Sequence, residues 1–112
     1  MANDKEYMDV ESALTRIGGN ADLYKKLLKI FLTETHIEEL EKAINNDDNE
    51  QIVRLAHTVK GVCANLSLEN LKLTATDIEA RIKGGLECKS LLPTLNESYN
   101  QTVAAITGYI NS

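Results

Sequence analysis

Three residues in one stretch could do chemistry together: His57, Lys60 and Gly61, within Arg54-Leu55-Ala56-His57-Thr58-Val59-Lys60-Gly61-Val62-Cys63-Ala64-Asn65-Leu66. A histidine side chain ordinarily titrates at about 6.5, so near neutral pH it is mostly a neutral imidazole with one free nitrogen lone pair, a nucleophile. Lys60 lies one helical turn on and would attract an anion arriving at the ring. Gly61 removes a side chain beside the ring, and Ala64 keeps the following turn small. A glycine inside a helix costs about 1 kcal/mol relative to alanine. Its presence needs a reason, and a partner that must come very close to His57 supplies one. A nucleophile, a positive charge for an oxyanion and a cleared approach suit phosphoryl transfer to and from a docked partner. The positions three and four residues from His57 are Val53, Arg54, Lys60 and Gly61. None is a carboxylate, so no local base or orienting acid is evident, and the HExxH metal arrangement is absent.

The element that must position these groups is a helix from about Asn49 to Leu66. Asp48 with Gln51 resembles a capping box at its start. At about 100° per residue, Ile52, Leu55, Ala56, Val59, Val62, Cys63 and Leu66 share one face, the core face. His57, Gly61 and Ala64 fall together well away from it. Val53 and Lys60 flank them toward the core edge, and Arg54 flanks them on the other side. Val53, Arg54 and Ala64 are therefore candidate partner-binding residues around His57. Cys63 reads as a small buried core residue rather than a reactive thiol.

The rest of the chain reads as more helices. Residues 1–7 are polar and expected to fray. Asp9 caps a short first helix carrying Val10, Ala13, Leu14 and Ile17, and Gly18-Gly19 ends it. Asn20 caps a long second helix running to the turn Asn45–Asn49. Its main stripe is Leu23, Leu27, Ile30, Phe31, Ile37, Leu40 and Ile44, with Leu28 and Leu32 off it. That width requires either burial against the first helix, the favoured reading, or a partner surface bordered by Leu28, Leu32 and Thr35. Ser67 caps the fourth helix, whose stripe is Leu71, Ala75, Ile78 and Ile82, and Gly84-Gly85 ends it. Ser90 caps the fifth, with Pro93 in its first turn and a stripe of Leu92, Leu95, Tyr99, Val103, Ile106 and Ile110. His36 reads as a surface histidine, and Glu38, Glu39 and Glu41 as a solvated face. Short links between long amphipathic helices predict an all-α antiparallel up-down-up-down four-helix bundle with a short extra N-terminal helix.

Composition narrows the function classes. The 112 residues suit one domain with a core of its own. With 43% hydrophobic and 26% charged residues, the composition is globular rather than disordered. A formal net charge of −5 argues against nucleic-acid binding, which needs a basic face. Two cysteines do not make a secreted disulfide framework. No signal-peptide pattern and no membrane-length apolar run is evident, so a cytoplasmic protein without a membrane span is expected. Met1 and the compact ends lead to the expectation of a free-standing protein.

His57-Thr58-Val59-Lys60-Gly61, followed by Val62-Cys63-Ala64-Asn65-Leu66, resembles the HxxKG signature of histidine-containing phosphotransfer domains. The ending Arg16-Ile17-Gly18-Gly19, the opening Ala21-Asp22-Leu23-Tyr24 and the helix plan extend the resemblance over roughly residues 8–110, and residues 8–112 are expected to form that domain. The resemblance implies that His57 accepts a phosphoryl group, normally on Nε2, from a receiver-domain aspartate and passes it to another receiver. Lys60 would neutralise the phosphoryl oxygens, and Gly61 would let the receiver close over the ring. Partners would be response-regulator receivers and a hybrid histidine kinase. Mg²⁺ would belong to the receiver, with no intrinsic cofactor or metal on this chain. The domain would be a monomer without autokinase activity. Two positions depart from the pattern: Val62 and Ser67 stand where many members have a small residue and a glycine. The alternative is a non-catalytic helical adaptor that binds a response regulator without accepting phosphate.

Overall fold

In a computed structural model the structure describes residues 4–112. Its helices are α1 (Asp4–Tyr7), α2 (Val10–Arg16), α3 (Ala21–Thr33), α4 (His36–Asn45), α5 (Asn49–Leu66), α6 (Glu69–Lys83) and α7 (Leu92–Ile110), with a 3-10 turn at Lys89–Leu91 before α7. There is no strand among the described residues. The α3–α4 arm packs on α5, α5 on α6, α6 on α7, and α7 returns to the arm, which closes a four-helix bundle. The broadest of these contacts is α5 on α6. The short α2 packs on α3 and α5, and α1 packs on α6 and α7. The N-terminal segment expected to fray is thus a helical turn at residues 4–7, with Tyr7 against the core; residues 1–3 lie outside the described residues.

The expected single second helix is two. Glu34 is extended, at φ −74° and ψ 148°, and α4 restarts from Thr35. The break has a cause in phase. α3 buries Tyr24, Leu28 and Phe31, and α4 buries Ile37, Leu40, Ala43 and Ile44. On one unbroken helix those two sets would face roughly 180° apart at 100° per residue. A reset is the only way to bury both. Thr33 assists it, since its hydroxyl donates to the Ile30 carbonyl at 2.8 Å and competes with continuation of the helix. The stripe expected on α3 is corrected accordingly. Leu28 is fully buried, while Leu23 (39%) and Ile30 (54%) are exposed.

Most caps follow the sequence. The side chains of Asp9, Asn20 and Asp48 accept from the amides of Ser12, Leu23 and Gln51. The capping box at Asp48 is one-sided, because Gln51 Oε1 accepts from Arg54 Nε at 3.0 Å instead of reaching back. Ser67 is not the cap of α6. It terminates α5 in the left-handed region, φ 56° and ψ 41°, and Leu68 takes the N-cap place. Ser90 does not cap α7 either: its amide and hydroxyl turn to Glu87, and Leu91 stands at the N-cap.

The core joins all of the longer helices. Leu40, Ile44, Ile52, Leu71, Ile78, Leu95 and Ile106 are fully buried, each stabilising the fold by about 1.5–3 kcal/mol relative to exposure. Burial of Cys63 pushes its thiol up to about 12, which makes it an inert packing group. α7 turns a different face inward from the one expected: Leu95, Ser98, Thr102, Ala105 and Ile106 are buried, while Val103 and Ile110 are half-buried. Two hydroxyls can be core because they are satisfied. Ser98 donates to Asn70 Oδ1 at 2.6 Å, and Thr102 donates to the Ser98 carbonyl at 2.7 Å.

Candidate functional site

The non-core face of α5 carries His57 in the open. Its side chain is 69% exposed, and Gly61 one turn on is exposed as well. Ala64 and Val53 are half-buried, and Arg54 is exposed with its guanidinium on Gln51. A Cβ built on Gly61 would meet nothing within 4 Å. The fold therefore has room for a side chain there and gains nothing internally from the glycine. Gly108, in the last turn of α7, is equally open, so openness alone marks no site. What distinguishes Gly61 is its place one turn beyond an exposed histidine.

Across the α5–α6 seam stands a group that sequence reasoning missed. Glu79 of α6 is buried, with its side chain 7% exposed. Its Oε1 accepts from Lys60 Nζ at 2.8 Å, and its Oε2 lies 3.1 Å from Lys83 Nζ and 3.5 Å from His57 Nδ1. The hydrogen bond from Lys60 is the main influence holding this carboxyl down, burial opposes it, and the bond from Lys83 adds to the lowering. The net result is a carboxyl lowered to about 2. A carboxylate, absent from the histidine's own helix, thus stands beside the ring on the neighbouring one. A signal was available: Glu79 is four residues beyond Ala75 and next to Ile78, inside the apolar stripe of α6. A carboxylate on a core-facing stripe needs a partner, and Lys60 and Lys83 are the partners.

At 3.5 Å the Glu79 carboxylate acts on Nδ1 through its charge rather than through a hydrogen bond, which favours the tautomer protonated there and leaves the lone pair on Nε2. Lys60 is one-third exposed. Glu79 holds its ammonium at 2.8 Å.

On the Asn65 side of His57, α5 borders an apolar groove of about 410 Å³. Ile17, Leu27, Ile30, Phe31, Val62 and Leu66 line it, with Arg16, Glu34 and Asn65 among its polar lining. Val62 is thus not wholly core, as its face suggested, but half-buried in this wall. Leu28 lies beneath the surface, Leu32 is half-buried and Thr35 is exposed. Arg16 closes one end of the groove by donating to the Ala64 and Asn65 carbonyls at 2.7 and 3.0 Å and to Ser67 Oγ at 3.0 Å. His36 sits at the start of α4 with Nδ1 3.1 Å from Glu34. No group of three or more His, Cys, Asp or Glu able to hold a metal occurs among the described residues, and no helix among them is long and apolar enough to cross a membrane.

Comparison with known proteins agrees with this architecture. Residues 26–105 match the family described as Hpt domain, and the chain belongs to that family. The fold is shared with the crystal structure of the HPT domain from an Hpt sensor hybrid histidine kinase of Shewanella. The TM-score is 0.74 at 16% identity, over 96% of this chain and 92% of that one. No curated protein gives a significant match. Membership assigns the chain to phosphotransfer in two-component phosphorelays, as a phosphocarrier module that works with receiver domains and histidine kinases.

Proposed function

We infer that His57 is the phosphoryl acceptor of this carrier, and that it takes the group from a receiver aspartate and returns it to another. The observation that carries this is the exposed imidazole whose Nδ1 faces buried Glu79, the same carboxylate that holds Lys60, which leaves Nε2 for a partner. In the transfer, the Nε2 lone pair forms a bond to phosphorus as the P–O bond to the receiver carboxylate breaks, and that carboxylate keeps the bonding electrons. The ring retains its Nδ1 proton and becomes a phosphoryl-imidazolium, whose positive charge Glu79 offsets. Lys60 supplies positive charge to the phosphoryl oxygens. Passage to the next receiver is the reverse step, in which a carboxylate oxygen attacks phosphorus and Nε2 leaves. No proton has to enter or depart. Mg²⁺ serves on the receiver, and this chain contributes no nucleotide site and no autokinase step of its own.

Gly61 gives the receiver room over the ring, and Val53, Arg54 and Ala64 frame the landing strip. The apolar groove adjoins that strip along α5 through Val62, Asn65 and Leu66. That continuity, together with the exposure of Ile30, supports a receiver as its occupant. The reading is of a monomeric cytoplasmic carrier. Incubation with a phosphorylated receiver tests it: acid-labile, base-stable label should enter the wild-type chain and be absent from His57→Gln.

A further inference from the structure

Glu79 is held by two lysines from two different helices. Lys60 reaches Oε1 from α5, and Lys83 reaches Oε2 from within α6, four residues along. One cation would have been enough to pair one buried carboxylate. The two differ in what else they can do. Lys60 is on the histidine's own helix one turn away, and a phosphoryl group on His57 would bring two negative charges to that part of α5. Lys83 shares the oxygen that faces Nδ1 and is preorganised by helix spacing alone, independent of α5. If Lys60 turns toward the phosphoryl oxygens, a carboxylate that is 7% exposed would lose its closest cation. A buried charge left without a partner is strongly unfavourable, so Glu79 would either pull Lys60 back or take up a proton.

We propose that Lys83 is a positioning residue of the phosphorylated state: it keeps Glu79 a carboxylate against Nδ1 of His57 while Lys60 neutralises the phosphoryl group. The consequence is chemical. A ring protonated at Nδ1 leaves phosphorus as neutral imidazole, whereas an unprotonated ring would have to leave as imidazolate. Lys83 thereby keeps the phosphohistidine a ready donor. It acts through Glu79 and does not touch the reacting atoms. The groups facing Glu79 are His57 and Lys60 from α5 and Lys83 from α6.

This rests on His57 being the acceptor, and the test separates the two claims. The full chain is phosphorylated with phosphoramidate, whose P–N bond breaks to release ammonia as Nε2 binds phosphorus. Ring ¹⁵N–¹H spectra and the half-life of the phosphoryl group are then recorded at neutral pH for wild type, Lys83→Ala and Lys83→Arg. Before phosphorylation all three should show the same Nδ1-protonated ring, since Lys60 still holds Glu79. After it, Lys83→Ala should lose the Nδ1 proton in a large share of molecules, and its phosphoryl half-life should lengthen several-fold. Lys83→Arg should follow wild type. Identical spectra and half-lives for Lys83→Ala and wild type overturn the role of Lys83 alone. A difference already complete before phosphorylation also overturns it, because Lys83 would then be a static support. Failure of wild-type His57 to take up any phosphoryl group overturns the acceptor assignment together with it.

Discussion

Glu79 faces His57 across the α5–α6 seam, with Oε2 3.5 Å from Nδ1, and so ties the orientation of an exposed ring to a buried, ionised carboxylate. The ring is open to solvent on one side and faces a carboxylate on the other. Glu79→Gln keeps the shape and removes the charge. Phosphotransfer to His57 should slow on the order of 10- to 100-fold, the range expected when a reacting group loses its orientation. A rapid-quench time course with a phosphorylated receiver measures it. Transfer at the wild-type rate would remove Glu79 from the account.

The same carboxyl should mark the acid limb of stability. Its folded-state value is lowered from 4.5 to about 2. A depressed acid contributes stability that is fully present above its unfolded value and is lost as pH falls through the folded one. Wild type should therefore lose stability between about pH 4.5 and about pH 2, and Glu79→Gln should lose less over that window. Urea unfolding of both proteins at pH 5 and pH 2.5 checks it.

Gly61 allows folding and the proposed docking to be tested separately. Since nothing lies within 4 Å of its missing Cβ, Gly61→Ala should stabilise the helix by about 1 kcal/mol. Gly61→Leu should fold as well, and both should transfer more slowly, leucine the more so. Thermal melts and transfer rates measured on the same samples would show the two properties moving in opposite directions. Loss of stability in Gly61→Ala would point to an internal role for the glycine instead.

Much of this arrangement is legible in the one-dimensional pattern, and the exceptions share a cause. The face of α5 follows from its apolar spacing, so the exposure of His57 and Gly61 could be read in advance. Caps at Asp9, Asn20 and Asp48 are local and were equally readable. Glu79 was not, because its meaning depends on α6 lying against α5, which no single-helix periodicity encodes. The break at Glu34 was hidden for a related reason: the apolar residues of α3 are broad enough to suggest a continuous stripe with α4 through Leu23, Leu27 and Ile30. Tertiary contacts chose another phase. Tyr24 donates to the Leu66 carbonyl at 2.6 Å, and Phe31 packs on Tyr99 with ring centroids 6.3 Å apart. The inward face of α7 is not legible from apolar spacing because Ser98 and Thr102 become core only once their hydroxyls find partners.

Ser67 shows what the departure at that position means. Its left-handed backbone costs about 1–2 kcal/mol for a residue with a Cβ. Its buried hydroxyl in return accepts from Arg16 at 3.0 Å and donates to Ser12 at 3.3 Å. Ser67→Ala should destabilise by about 1–2 kcal/mol, losing the bonds and keeping the strain. Ser67→Gly loses the same bonds but relieves the strain, and should be the more stable of the two by about 1 kcal/mol. Equilibrium denaturation of the pair decides it.

The exposed wall of the groove should matter for docking and not for folding. Ile30→Asp places a charge on a residue that is 54% exposed. It should leave the melting temperature nearly unchanged and weaken receiver binding roughly tenfold, as for loss of one apolar anchor. Calorimetric titration with the receiver, alongside a melt, distinguishes this from general damage.

Everything proposed above depends on His57 carrying the phosphoryl group. The most direct measurement is the stoichiometry and lability of label transferred from a phosphorylated receiver to the wild-type chain and to His57→Gln. One acid-labile, base-stable phosphoryl group per wild-type molecule is expected, recoverable on a second receiver, and none on His57→Gln. Equal labelling of the two proteins, or tight receiver binding with no transfer to wild type, would contradict it.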